Sequence, residues 1–336
     1  MEINKQKPSA GSLRGLSKSR FVLAGVALLM GGLSTAWADA WPTKPIQLVV
    51  AFPPGGSADQ MARLLAPQLS QKLGQSVVVE NRSGASGMIG TGFVAKGDDH
   101  TFGLVFDTHV TNAKLMKDTI PFDTMKDITY VTLLGTAPMA IFTGSKSDYK
   151  SFSQLVDASK KGAHVSYATV GTAGLSHLAL ASLSKKGGFD WQQVAYRGGG
   201  PIHIDVAANH IPLGISSVLA IKGLVDGGTL VPLAVTSRTR SAIFPNVPTV
   251  AESGFEGFEA STWWGIIGSE KMSDSIAQKM HEALAEALNT PATADKLKSQ
   301  GVEIVAAGPQ EFRSFVQKEI SIWGKVIDEN NIKLDK

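Results

Sequence analysis

Short apolar runs alternate along the chain with longer stretches in which apolar residues recur every three or four positions. Ile46–Val50 reads as a buried strand. Residues 58–73 follow, with Met61, Leu64, Leu65 and Leu69 at helical spacing. The pattern predicts further strands over 77–79, 102–106, 128–134, 140–143, 165–167, 194–196, 213–215 and 233–235, and helices over 152–158 and 178–183. The C-terminal third is mostly helical, with long amphipathic stretches over 275–288 and 312–327.

Strand–helix alternation of this kind implies an α/β fold, with parallel sheets flanked by helices. No solenoid period, low-complexity tract or Pro/Gly/Ser-rich linker divides the chain. Two lobes that share several chain crossings leave such an unmarked sequence. The expected crossings lie near Ala137-Pro138 and near 261–263. They define one lobe from 39–137 plus 262–336 and a second from 138–261.

The first 38 residues carry a different signature. Lys5, Lys7, Arg14, Lys18 and Arg20 stand against one acid, Glu2, and an apolar run over 21–33 leads to Ala36-Trp37-Ala38. Basic start, short apolar core and small-x-small ending describe a secretory signal, with cleavage expected after Ala38 and a periplasmic destination. The run is too short to span a bilayer comfortably, although a retained anchor is the alternative. The whole chain has 32 basic and 29 acidic residues; without the leader's five and one, 27 and 28 remain, a net charge of −1. The basic balance therefore belongs to the leader, and no basic face of the kind a nucleic-acid binder needs is left. With no cysteine in the chain, disulfides, thiolate zinc sites and a cysteine nucleophile are excluded.

Two loops stand out. In Ala51-Phe52-Pro53-Pro54-Gly55-Gly56-Ser57-Ala58-Asp59-Gln60, prolines stiffen the exit from a strand and glycines let a ligand approach the main chain. Ser57 and Gln60 have capping-box spacing, which predicts the helix start. A helix N-terminus presents unpaired N–H groups and the positive end of a dipole, a ready anion site. Thr169-Val170-Gly171-Thr172-Ala173-Gly174-Leu175-Ser176-His177 again runs from strand to helix and adds hydroxyl donors. Ligands of open α/β sheets lie outside the carboxyl ends of strands, so two such loops could hold one carboxylate. Four hydrogen bonds to a charged group contribute roughly 6–12 kcal/mol, against about 8 for micromolar affinity. Either loop could also be no more than a tight turn. Neither fits a dinucleotide or P-loop fingerprint.

The ordered motifs resemble the extracytoplasmic solute-binding receptors of tripartite tricarboxylate transporters, the Bug or TctC-type family. They begin with Trp41-Pro42-Thr43-Lys44-Pro45-Ile46, Phe52-Pro53-Pro54-Gly55-Gly56-Ser57-Ala58-Asp59 and Val78-Val79-Glu80-Asn81-Arg82. Gly84-Ala85-Ser86-Gly87-Met88-Ile89-Gly90, Gly171-Thr172-Ala173-Gly174, Tyr196-Arg197-Gly198-Gly199, Pro245-Asn246-Val247-Pro248-Thr249 and Thr262-Trp263-Trp264-Gly265 continue them. The resemblance implies a two-lobed periplasmic binding protein of Venus-flytrap, type II-like form that closes on its ligand, each lobe a mostly parallel sheet flanked by helices. It implies capture of a small organic carboxylate for membrane permease subunits, with no cofactor and no metal. It places the carboxylate between the loop of Phe52, Pro54, Gly55, Gly56, Ser57 and Asp59 and the loop of Thr169, Gly171, Thr172, Ala173, Gly174 and His177. Thr108, Tyr196 and Gly198 would line the remainder. Three departures stand out: Ala51 where proline is usual, Asp98-Asp99-His100 where Asp-Gly-Tyr is usual, and Ser216-Ser217 where Asp-Asn is common.

Several side chains admit two readings. Asp59 contacts ligand or compensates the dipole in the first helical turn. His177 donates to a carboxylate or caps its helix. Asp205 meets a ligand ammonium or hydroxyl, or is a solvated helix position. Trp263 and Trp264 wall an apolar pocket or pack in the core. His203, Asp205 and His210 fit no standard metal site. An exported hydrolase is the alternative from another class, but the chain lacks a G-x-S-x-G elbow and an H-E-x-x-H motif. Ser176 and His177 are adjacent, so their side chains point to different helix faces. A receptor feeding a membrane sensor would look the same in sequence. A receptor that must close is expected to be a monomer.

Overall fold

The computed structural model describes residues 41–117, 119–172, 174–329 and 332. The expected leader and its cleavage point lie outside the described residues, as does Ala173. Among the described residues no helix is long and apolar enough to cross a membrane.

The first half of the sheet is built from β1 (Ile46–Val50), β2 (Val77–Asn81) and β3 (Thr101–Phe106), paired in parallel in the order β2-β1-β3. Between them run α1 (Ser57–Leu73) and α2 (Met88–Ala95), and α3 (Thr108–Leu115) follows β3. Helix α1 buries Met61, Leu65 and Leu69 along one stripe and ends at Gly74, in a left-handed conformation. The second half contains β5 (Val165–Val170), β6 (Trp191–Tyr196) and β7 (Leu213–Ser217), also parallel to one another, in the order β6-β5-β7. Its helices are α4 (Phe152–Lys160), α5 (Leu175–Gly187), α6 (Gly199–Ala207) and α7 (Val218–Asp226).

The halves are joined by β4 (Ile128–Gly144), a single strand of 17 residues where the apolar pattern predicts two short ones. It continues through Gly135 and Pro138 because each stretch finds a partner. Residues up to Pro138 pair antiparallel with β9 (Ser261–Ser269), and those from Met139 on pair antiparallel with β7 and β8 (Leu230–Val235). Pro138, which has no N–H to donate, sits where the strand changes partners. Register shifts at Tyr130/Thr132 and Leu133/Gly135 absorb the irregularity. Strand β9 also pairs antiparallel with β3, so each half is a parallel set of strands completed by antiparallel neighbours. The C-terminal elements α8 (Asp274–Asn289), α9 (Pro291–Ser299), β10 (Glu303–Ala307) and α10 (Pro309–Glu329) return to the first half, where β10 pairs with β4.

Sequence periodicity misses α3, α7 and α9, each nine residues or fewer, a length that gives a helical repeat little room to declare itself. It also misses β9, whose Trp263, Trp264, Ile266 and Ile267 are buried on both faces and show no alternation.

Candidate functional site

At the carboxyl ends of the parallel strands the chain turns into helices. Strand β1 leads to α1, β3 to α3, β5 to α5, β6 to α6 and β7 to α7. One residue from each of these five helix starts lines a common cavity: Ser57, Asp107, Ser176, Gly199 and Ser217. Phe52, Phe106 and Met139 add apolar wall, Thr262 and Ser216 add hydroxyls, and the cavity is about 40 Å³, room for about three waters.

The helix starts around it share a feature. Helices α4 and α8 are capped by Ser151 and Ser273, whose hydroxyls accept from Gln154 and Ile276 amides. By contrast α1, α3, α5 and α6 receive no side-chain bond from the residues at their cap positions, Gly56, Asp107, Gly174 and Gly198, although the first amide of α5, that of Leu175, donates to Asp107. Helices α2 and α9 are uncapped as well. What distinguishes the four is that their first turns converge on one enclosed space, where N–H groups and dipole ends favour an anion. Ser217 caps α7 by accepting from the Leu219 amide.

The first loop is stapled from behind. Asp59 accepts from the Gly55 amide at 3.1 Å, from Arg63 at 3.0 Å and from Asn81 at 3.0 Å, while Asn81 also donates to the Phe52 carbonyl at 2.9 Å. Burial alone would raise the Asp59 pKa, but these donors outweigh it and hold the carboxyl below its ordinary value. Gly55 has φ +87°, a conformation that L side chains rarely adopt. The capping box expected from Ser57 and Gln60 is not formed. Gly56 is the cap, Ser57 is already helical, and its hydroxyl accepts from the Trp264 indole at 3.1 Å.

The second loop is held by neutral groups. Gln193 donates to the Thr169 hydroxyl at 2.7 Å and to the Gly171 carbonyl at 2.9 Å, and Thr169 donates to that carbonyl at 3.1 Å. Gly171 has φ +67°. The His177 ring donates through Nδ1 to the Thr172 carbonyl, and the ring lines a separate shallow groove with Lys185 and Asp190. Ser176 faces the cavity, so the adjacent pair is split between two surfaces.

Of the residues singled out from the sequence, Phe52, Gly56, Ser57 and Asp59 line the cavity. Pro54, Gly55, Gly171, Gly174, Gly198 and Thr108 form a seam beside it. A Cβ on Gly198 would lie 2.7 Å from the Pro53 ring, one on Gly171 2.6 Å from Ser86 Oγ, and one on Gly174 3.0 Å from the Thr108 methyl. Besides His177, three side chains are placed elsewhere. Trp263 is 1% exposed and packs edge-on against Phe312 and Phe315 in the core. Asp205 accepts from the Tyr196 hydroxyl at 2.7 Å and faces His210, so this pair is satisfied within its own surface turn.

Sequence reasoning passes over the most unusual group in the wall. Asp107, 5% exposed, accepts from the Thr262 hydroxyl at 2.5 Å. Burial pushes its pKa up to about 6; bonds from Thr262 and the Leu175 amide oppose that push, and the charge of Glu319 adds to it. Its one mark in the sequence is position: an acid directly after Thr101–Phe106, a strand apolar but for its first residue, sits at a strand's carboxyl end. Across the cavity, His203 lies 3.2 Å from Ser216 Oγ, and burial lowers its pKa to about 4, leaving a neutral ring.

Residues 61–332 match the sequence profile described as "Tripartite tricarboxylate transporter family receptor". Protein BugT of Bordetella pertussis is 33% identical over 301 residues, covering 88% of this chain and 92% of that one. The solved periplasmic binding protein BugD superposes with a TM-score of 0.83 at 27% identity, covering 87% of this chain and 99% of its own. An R. palustris protein solved with adipate gives the same TM-score at 29% identity, with the same coverage.

Proposed function

Because the chain belongs to the family of tripartite tricarboxylate transporter receptors, we propose that its cavity captures a small organic carboxylate outside the cytoplasm and delivers it to membrane permease subunits of that transporter type. The family is one of periplasmic solute-binding receptors rather than enzymes, and the two-lobed α/β fold is that of periplasmic binding proteins. The observation that carries the reading is the convergence of the uncapped first turns of α1, α3, α5 and α6 on one enclosed space. No lysine or arginine lines it among the described residues, so backbone amides and hydroxyls are its anion donors.

In this reading the leader is removed near Ala38, the receptor acts in the periplasm as a monomer, and the lobes are 39–137 with 262–336 and 138–261. A dicarboxylate of the size of adipate, which the R. palustris relative holds, exceeds the present cavity, so the walls part to admit it and close over it. Phe52, Gly56 and Ser57 meet the carboxylate; Pro54, Gly55, Thr108, Gly171, Gly174 and Gly198 form the seam along which the walls meet.

Two measurements test the proposal. Mass spectrometry of small molecules released by denaturing the purified protein should find an intact carboxylic acid in stoichiometric amount. Calorimetric titration with mono-, di- and tricarboxylates, adipate included, should show binding near micromolar without turnover. Silence across the series, or a chemically altered product, contradicts it.

A further inference from the structure

An acid in the wall of an anion site is an apparent contradiction. Asp107 occupies the cap position of α3, faces the cavity, and is held from behind by Thr262. Asp59, the other acid in the wall, is neutralised by Arg63. Asp107 has no such partner: no lysine, arginine or histidine lines the cavity among the described residues. Two carboxylates brought together in a water-poor space cannot both stay ionised, and one of them takes up a proton.

We propose that Asp107 is a ligand-contacting, specificity-determining residue that meets the ligand carboxylate as a neutral carboxyl, donating its proton to it, so that capture takes up one proton from solvent. This rests on the carboxylate reading of the cavity. The step needs no other reactant. The proton leaves water, bonds to an Asp107 oxygen and is shared with a ligand oxygen, while Thr262 keeps its bond to the carboxyl.

The surroundings favour protonation. Burial already moves the Asp107 pKa upward, and Glu319 on α10 pushes the same way. On α1, Asp59 is compensated by Arg63; on α6, His203 behind Ser216 is neutral; on α3 itself His109 is buried, with its pKa lowered to about 4, so none supplies a positive charge near neutrality. The acid's pKa is raised, so the sign is fixed: binding is full strength below about pH 6 and weakens as pH rises through it. A ligand with an ammonium group in this position would behave oppositely, since it needs the ionised acid.

The experiment is calorimetric titration of the purified protein with succinate, malate, adipate and benzoate from about pH 6 to about pH 8.5, a range in which the ligand carboxyls are mostly ionised and contribute little proton exchange of their own. For any that bind, affinity should fall about tenfold per pH unit above about 6, and heats in buffers of different ionisation enthalpy should report uptake approaching one proton. D107N, which keeps an acceptor for Thr262 and offers an N–H to the ligand, should bind with little pH dependence and at least about tenfold more tightly than the native protein at pH 8. Its melting temperature, measured alongside, separates a folding defect from a binding effect, and proton uptake by the native protein needs no variant. Flat affinity with no proton uptake overturns the inference but leaves carboxylate capture standing. Loss of affinity in folded D107N overturns it in favour of a cationic ligand group. Absence of binding at every pH counts against carboxylate capture itself, and this inference falls with it.

Discussion

The loops before α1 and α5 both leave a parallel strand, turn at a glycine with positive φ and enter a helix whose cap position carries no side chain. They nevertheless face the cavity differently. The first is bound from behind by the Asp59–Arg63–Asn81 network, and Gly56 and Ser57 stand in the cavity wall. In the second, Gln193 and Thr169 hold the Gly171 carbonyl, the turn rests on Ser86, and the wall receives only its flanks, Val170 and Ser176. Similar strand-to-helix chemistry thus puts the glycine turn of the first loop in the cavity wall and leaves the turn of the second outside it. What decides between them is which part of the loop the neighbouring elements leave uncovered.

Adding a negative charge to each loop breaks the comparison most sharply. Gly56→Asp places a carboxylate in the cavity wall, and repulsion worth several kcal/mol should weaken ligand binding more than about a hundredfold. Thr172→Asp, on the second loop, should change it less than about threefold. Titration calorimetry of the pair decides the matter, and equal losses would show that both loops bind. Next in size is the seam. A Cβ on Gly200 would lie 2.5 Å from the Pro54 carbonyl oxygen, so Gly200→Ala should weaken binding about tenfold by obstructing closure. Small-angle scattering of that variant should report a wider particle with ligand present than the native protein shows.

Gly171→Ala should act mainly on stability. The positive φ costs about 1–2 kcal/mol, and the new Cβ meets Ser86 Oγ. Chemical denaturation should recover part of that loss in the double variant with Ser86→Gly, because Ser86 is itself at φ +52°. The response to acid bears on stability and leaves the comparison of the loops untouched. The folded pKa of His203 lies near 4, below its unfolded value of about 6.5. The unfolded chain therefore gains the proton first, and stability falls as pH drops from about 6.5 towards 4, by on the order of 1–3 kcal/mol. His203→Gln should remove its share of that fall in thermal melts, leaving the part due to the buried His109, which Asp107 with its raised pKa opposes.

Much of the fold can be read from the chain because the parallel strands are continuous apolar runs and the long helices carry wide apolar stripes, as in Ile46–Val50 and α1. β4 is not legible as one strand, since Gly135 and Pro138 look like breaks until β9 and β7 are seen to pair with either side. At the site, the first loop announces itself through Pro53-Pro54-Gly55-Gly56. Asp107 is marked only by its place after a strand, because its burial and its bond depend on a Thr262 brought in from 155 residues away. Trp263 and Trp264 are neighbours in one motif, and only packing against Phe312 assigns the first to the core and only the Ser57 contact sets the second beside the cavity.

The most direct measurement is a crystal structure of the protein with a bound carboxylate. Ligand oxygens should lie within hydrogen-bond distance of first-turn backbone N–H groups of α1 and of α5 or α6, with Asp107 alongside. A carboxylate seated instead in the open groove of Arg238, Arg240 and Lys298, with the enclosed cavity unengaged, would contradict the account.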